Sequence, residues 1–207
     1  MTIVDKLATT LNRNDEGPNQ ELARDIAGRA DREAVTELIG HLHNKDKNIQ
    51  SDCIKILYEI GSLKPSLIAG YSKEFLTLLE HKNNRLVWGA MTALDAITLE
   101  NPEIIYEGLE QIVDRMNKGS VITKDHGVNI LIKLCSIQAY ADHAFNLLIE
   151  QLKSCPTNQL PMYAEKAISI VNASNKAHFI HTLSSRLDEI DKDTKRKRVE
   201  KVIKRLS

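Results

Sequence analysis

No apolar run in this chain approaches the roughly 18 residues a membrane helix needs, and Asp5 interrupts the segment where a secretory leader would be unbroken. Material for a sheet is scarce. Aromatics make up 4% of the 207 residues, and no stretch alternates valine or isoleucine with polar residues. Cysteine is nearly absent: Cys53, Cys135 and Cys155 form no CxxC pair and no even framework, which argues against a disulfide scaffold and for a reducing compartment. Net charge is missing as well. With 28 Lys plus Arg against 28 Asp plus Glu, nothing global steers the chain to nucleic acid or a membrane. The nucleophile elbow, the Gly-rich phosphate loop and a recognisable Cys–His spacing are all lacking, so an enzymatic role is disfavoured though left open. These absences together predict a soluble, cytoplasmic protein that works without a cofactor.

What fills the chain instead is a pattern repeated every 37 residues, clearest in IQSDCIKILYEIG from Ile49 to Gly61. Cys53, Ala90, Gly127 and Ala164 share one column; Leu57, Leu94, Leu131 and Ile168 a second; Ile60, Ile97, Leu134 and Val171 a third. A small residue followed by apolar ones four and seven positions later marks one buried helix face. Each copy therefore predicts an inner helix, at 49–61, 84–98, 121–136 and 160–171, with a last one in the basic run 191–206. Outer helices are expected at 32–43, 65–80 and 102–117, with Leu38, Phe75 and Ile112 in one column. Asn101-Pro102-Glu103 reads as an N-cap, a proline at N1 and an acid in the first turn. At the start, Ile3, Val4, Leu7 and Leu11 suggest an amphipathic helix, then a turn over Asn12–Asn19, then a partner carrying Leu22, Ala23, Ile26 and Ala27. A helical unit that cannot bury its apolar face alone must stack on its neighbours. The expected fold is all-α, an α-solenoid of about five to six stacked antiparallel helix pairs in one domain, 1–207. Its units fall at about 1–30, 31–63, 64–100, 101–137, 138–173 and 174–207.

The segments DKNIQSDCIKILYEIG (46–61) and NNRLVWGAMTALDAI (83–97) resemble the second helix of a HEAT repeat: an Asp, a Val-Arg pair, then small and apolar residues ending near Ile-Gly. Asp46 matches the Asp position; Gln50 and Val87 stand where Arg is usual. The resemblance implies a scaffold that binds a protein or peptide partner on the concave face of its inner helices, with no catalytic residue. It also implies an alternative, a HEAT-like DNA-binding protein or alkylpurine DNA glycosylase, for which Trp88, Asp95 and Arg85 would be the residues to consider.

Carrying the outward positions of 49–61 through the register gives the column Lys55, Thr92, Asn129, Lys166, flanked by His126 and Tyr163 on one side and Trp88 on the other. Exposed aromatics beside basic and amide groups suit recognition, so Lys55, Trp88, Thr92, His126, Asn129, Tyr163 and Lys166 form the candidate binding strip. The alternative for each is an ordinary solvated helix face. No metal is expected: His41-x-His43 splits across a helix, and His178-x-x-His181 lacks a third ligand. Lys195-Arg196-Lys197-Arg198 reads as the solvated end of a last helix or as a contact for an acidic partner. Phe179, Ile180 and Leu183 are a candidate apolar edge for a second copy.

Overall fold

The computed structural model describes residues 2–207, and among them there are twelve α-helices and no strand. In chain order they are α1 (Gly17–Arg29), α2 (Arg32–His41), α3 (Lys47–Leu63), α4 (Ser72–Leu78), α5 (Asn84–Ile97), α6 (Pro102–Glu107), α7 (Leu109–Lys118), α8 (Val121–Cys135), α9 (Ala141–Ser154), α10 (Leu160–Ala167), α11 (Lys176–Ser184) and α12 (Asp193–Leu206). None is long and apolar enough to cross a membrane.

Short polar side chains start α2, α3, α5 and α8. Asp31, Asp46 and Asn83 accept from the amides of Ala34, Asn48 and Arg85, and Ser120 Oγ accepts from Thr123 N–H. Each bond satisfies a donor that the first helical turn would otherwise leave open.

The chain divides into two compact units, one reaching to Gly127 and one running from Val128 to Ser207, with the division inside α8. In the first, α3 is central: α1, α2 and α5 pack on it, and α4 packs on α5. Cys53, Leu57, Ile60, Ala90, Leu94 and Ile97 are fully buried, as are Leu38, Phe75 and Ile112 of the outer helices. In the second, α12 packs on α10 and α11, and α9 on α11. Leu131, Leu134 and Ala164 are buried there, while Ile168 and Val171 are only half-buried.

The expected helix over Ile3 to Leu11 reduces to one 3-10 turn, Val4–Lys6. Ile3, Leu7 and Ala8 are buried, but Leu11 is half exposed. The physical reason lies in side-chain acceptors outside the segment. Glu37 takes the Ile3 amide, Asn19 the Ala8 amide and Asp52 the Thr9 amide, at 2.9, 3.0 and 2.8 Å, so backbone donors are satisfied without a helical ladder.

The outer helices are broken as well. Pro65 leads into two 3-10 turns before α4, and the run from 102 to 118 is split at Gly108. At that break the chain runs against Leu76, where a Cβ on residue 108 would come within 2.6 Å of the Leu76 side chain. Asn101 stands at the N-cap of α6 without capping it. Its amide instead reaches back to Ala69 O and Ser72 Oγ. Similarly, α10 ends at Ala167 in a 3-10 turn, where Asn175 Oδ1 takes the Asn172 amide and Asn172 Oδ1 takes the Ser174 amide. Side-chain turns of this kind compete with continued helix.

Candidate functional site

Residue 89 has no side chain, and a Cβ there would stand 2.6 Å from Ile54 Cγ1. This close approach of α5 to α3 sets Trp88 and Arg85 of one helix beside Ser51, Asp52 and Lys55 of the other. Together with the segment Asn12–Glu16, they line a cleft of about 670 Å³.

Lys55 lies at the centre of its contacts. Its Nζ is 2.8 Å from Glu16 Oε2 and 2.8 Å from Glu59 Oε1, with only 13% of the side chain exposed. It also sits 5.0 Å from the centre of the Tyr58 ring, which in turn is 5.7 Å from the Trp88 ring at a tilt of 52°. Both arrangements are favourable for aromatic rings. Burial pulls the Lys55 pKa down, but the bonds from Glu16, Glu59 and Tyr58 outweigh it, so the ammonium is held more strongly than an ordinary lysine's. Burial pushes the Tyr58 hydroxyl up. Asp52 is already engaged by the Thr9 amide.

Of the predicted strip, Lys55 and Trp88 meet in this cleft. Trp88 is half-buried rather than freely exposed. Thr92 turns its hydroxyl back onto Trp88 O at 2.8 Å. His126 is engaged elsewhere: its Nδ1 lies 2.7 Å from Oδ2 of buried Asp95. In the second unit, Lys166 Nζ donates to Asn129 Oδ1 at 2.9 Å, so two members of one column, 37 residues apart, touch as the register demands. Tyr163 is a correction. It is 1% exposed and belongs to the core, at the same register position as buried Gly89 of α5.

The other candidates are absorbed by the fold. Phe179 and Leu183 are fully buried within their own unit, so no apolar edge remains there beyond half-buried Ile180. His178 meets the Phe145 ring edge-on at 6.1 Å. No cluster of three or more metal-ligating side chains occurs among the described residues. In the basic run, Lys195 bonds Asn158, Arg196 bonds Ile190 O, Lys197 pairs with Asp193 and Arg198 grips both oxygens of Glu165. Sequence reasoning passed over Glu16 and Tyr58. Tyr58, three residues after Lys55, shares its helix face and was legible by spacing; Glu16 gave no local signal, since only the chain reversal brings it to Lys55.

No family model matches the chain, and no curated protein matches its sequence. Solved structures do match its backbone. A designed armadillo repeat protein covers 99% of this chain and 98% of its own at TM-score 0.64 and 14% identity. Another, solved in complex with peptide (KR)4, covers the same shares at TM-score 0.65 and 16% identity. The fold is armadillo-like. An engineered protein with 22% identity agrees, at TM-score 0.61 over 100% of this chain and 98% of its own. The broken outer helices belong with this likeness, since armadillo and HEAT units are built of two or three helical pieces.

Proposed function

We propose that this armadillo-like chain, built of six units at the boundaries read from the sequence, is a non-enzymatic scaffold. It binds a protein or peptide partner along its inner helices, with the cleft at Trp88 as the principal docking point. The observation that carries the reading is the half-buried Trp88 at a cleft wall, its indole N–H without a partner among the described residues. An aromatic surface with an unused donor suits an extended backbone, whose carbonyls need donors. The peptide complex of a structural neighbour supports the same class of ligand. Lys55, Thr92, His126, Asn129 and Lys166 make up the rest of the proposed strip, with Tyr163 withdrawn. The DNA glycosylase alternative has less support, because Asp95 is buried against His126 and does not line the cleft.

The test is quantitative affinity purification with the wild type and Trp88→Ala. A partner retained by the wild type should weaken about 30-fold, the scale of an interface anchor, with the circular dichroism unchanged. Equal recovery by both proteins would overturn the docking point. Retention on DNA that falls steeply with salt, or release of methylated bases abolished by Asp95→Asn, would favour the alternative.

A further inference from the structure

The cleft already holds a carboxylate, and it comes from the chain itself. Glu16 stands with 65% of its side chain in solvent, yet its Oε2 reaches Lys55 Nζ, which is 13% exposed. The segment that delivers it is held through its backbone, Arg13 N–H donating to Ala8 O and Glu16 O accepting from Gln20 N–H at the start of α1, and hardly at all by its side chains. Residues 12–16 bury no side chain. The chain reverses at Asn12 in the left-handed region, φ 54°. Arg13 and Asp15 pair with each other at the surface, and Asp15 also takes the Gly17 amide.

The helix wall opposite is short of acceptors and rich in unused donors. The Arg85 guanidinium and the Trp88 indole N–H have no partner among the described residues. Of the carboxylates of α3, Glu59 is paired with Lys55 and Asp52 is engaged through one oxygen by the Thr9 amide. On α3 and α5 an incoming cation therefore finds only the second oxygen of Asp52, whereas an incoming carboxylate finds Arg85 and Trp88 open and Lys55 released when Glu16 leaves.

We infer that this cleft recognises an acidic side chain of a peptide partner, and that Glu16 occupies the carboxylate position in the free protein as an internal competitor. The inference rests on reading the inner-helix face as a peptide-binding surface, and it adds the charge of the ligand and a side chain, Glu16, that must swing aside. Lys55 keeps Glu59 as a partner when the Glu16 side chain swings away into solvent, so the exchange leaves no uncompensated buried charge.

Trp88 is the chain's single tryptophan, so its fluorescence reports on the cleft directly. The full chain is titrated with three octapeptides of alternating Gly–Glu, Gly–Lys and Gly–Ser. The Glu peptide should bind at least about tenfold more tightly than the other two, and added salt should weaken it. Glu16→Gln should strengthen that binding about threefold to tenfold; Arg85→Gln, an exposed change that leaves the fold intact by circular dichroism, should weaken it by a similar factor. Equal or preferred binding of the Lys peptide overturns the acidic assignment, and so does the absence of any response to the Glu peptide. An unchanged affinity in Glu16→Gln overturns the competitor role. All three outcomes are independent of whether Trp88→Ala loses a purified partner, which decides the scaffold reading on its own.

Discussion

Gly89 and Gly127 sit one position apart in the repeat register but face different neighbours. A Cβ on residue 89 would meet Ile54 of the adjacent inner helix, and one on residue 127 would meet Met116 of the preceding outer helix. Methionine can swing aside; branched Ile54 between two packed helices has less freedom. Gly89→Val should therefore cost about 1–3 kcal/mol in urea unfolding, and clearly more than Gly127→Ala. The opposite sign is expected at Ala30, which ends α1 in the left-handed region at φ 55° and donates to Ala27 O and Ile26 O. Glycine adopts that conformation without the Cβ penalty, so Ala30→Gly should raise stability by about 0.5–1 kcal/mol despite its larger unfolded-state entropy. The small-residue column made Gly127 legible in advance. Gly89 lay one position off that column, and its role depends on how closely α3 and α5 approach.

Among the elements, α12 shows how a charged run is spent. The basic side chains of residues 195–198 are held to α10, to Asn158 ahead of it and to their own neighbours, chiefly through the Arg198–Glu165 fork at 2.8 and 2.6 Å. The hydrogen bond from Arg198 lowers the Glu165 pKa below the ordinary carboxylate value. A carboxylate held down in the folded state adds stability above its unfolded pKa and loses it as pH falls through the folded one. The wild type should therefore lose more stability than Glu165→Gln between neutral pH and about pH 3, by under about 1 kcal/mol because both partners are well exposed. Melting curves of the two proteins against pH check it. Inner-helix starts were legible from the register, α5 at Asn84 as read and α3 at Lys47 just ahead of the expected 49, whereas the one N-cap read from sequence, Asn101, does not cap. Boundaries were illegible where a distant side chain took the backbone donors, as Glu37, Asn19 and Asp52 do for residues 3–9.

For the molecule as a whole, the cysteines offer a reporter in each compact unit. Burial pushes the thiols of Cys53 and Cys135 up to about 12, so at neutral pH neither presents an appreciable thiolate in the folded protein. Cys53 lies in the first unit, Cys135 and Cys155 in the second. Leu183→Ala, which empties a fully buried position, should destabilise by about 2–5 kcal/mol. In a repeat protein the loss stays near the affected unit, so alkylation of Cys135 and Cys155 should accelerate more than that of Cys53. Equal acceleration at all three sites would mean that the chain opens as one. The amino-acid sequence by itself determined the helical class, the 37-residue register and most of the buried positions, because period and side-chain size act locally and repeat along the chain. Tertiary structure alone decided which outward residues are available. It buried Tyr163, tied His126 to Asp95, and brought Glu16 onto Lys55 beside an open Trp88. Those outcomes depend on contacts between residues distant in sequence, which no local periodicity encodes.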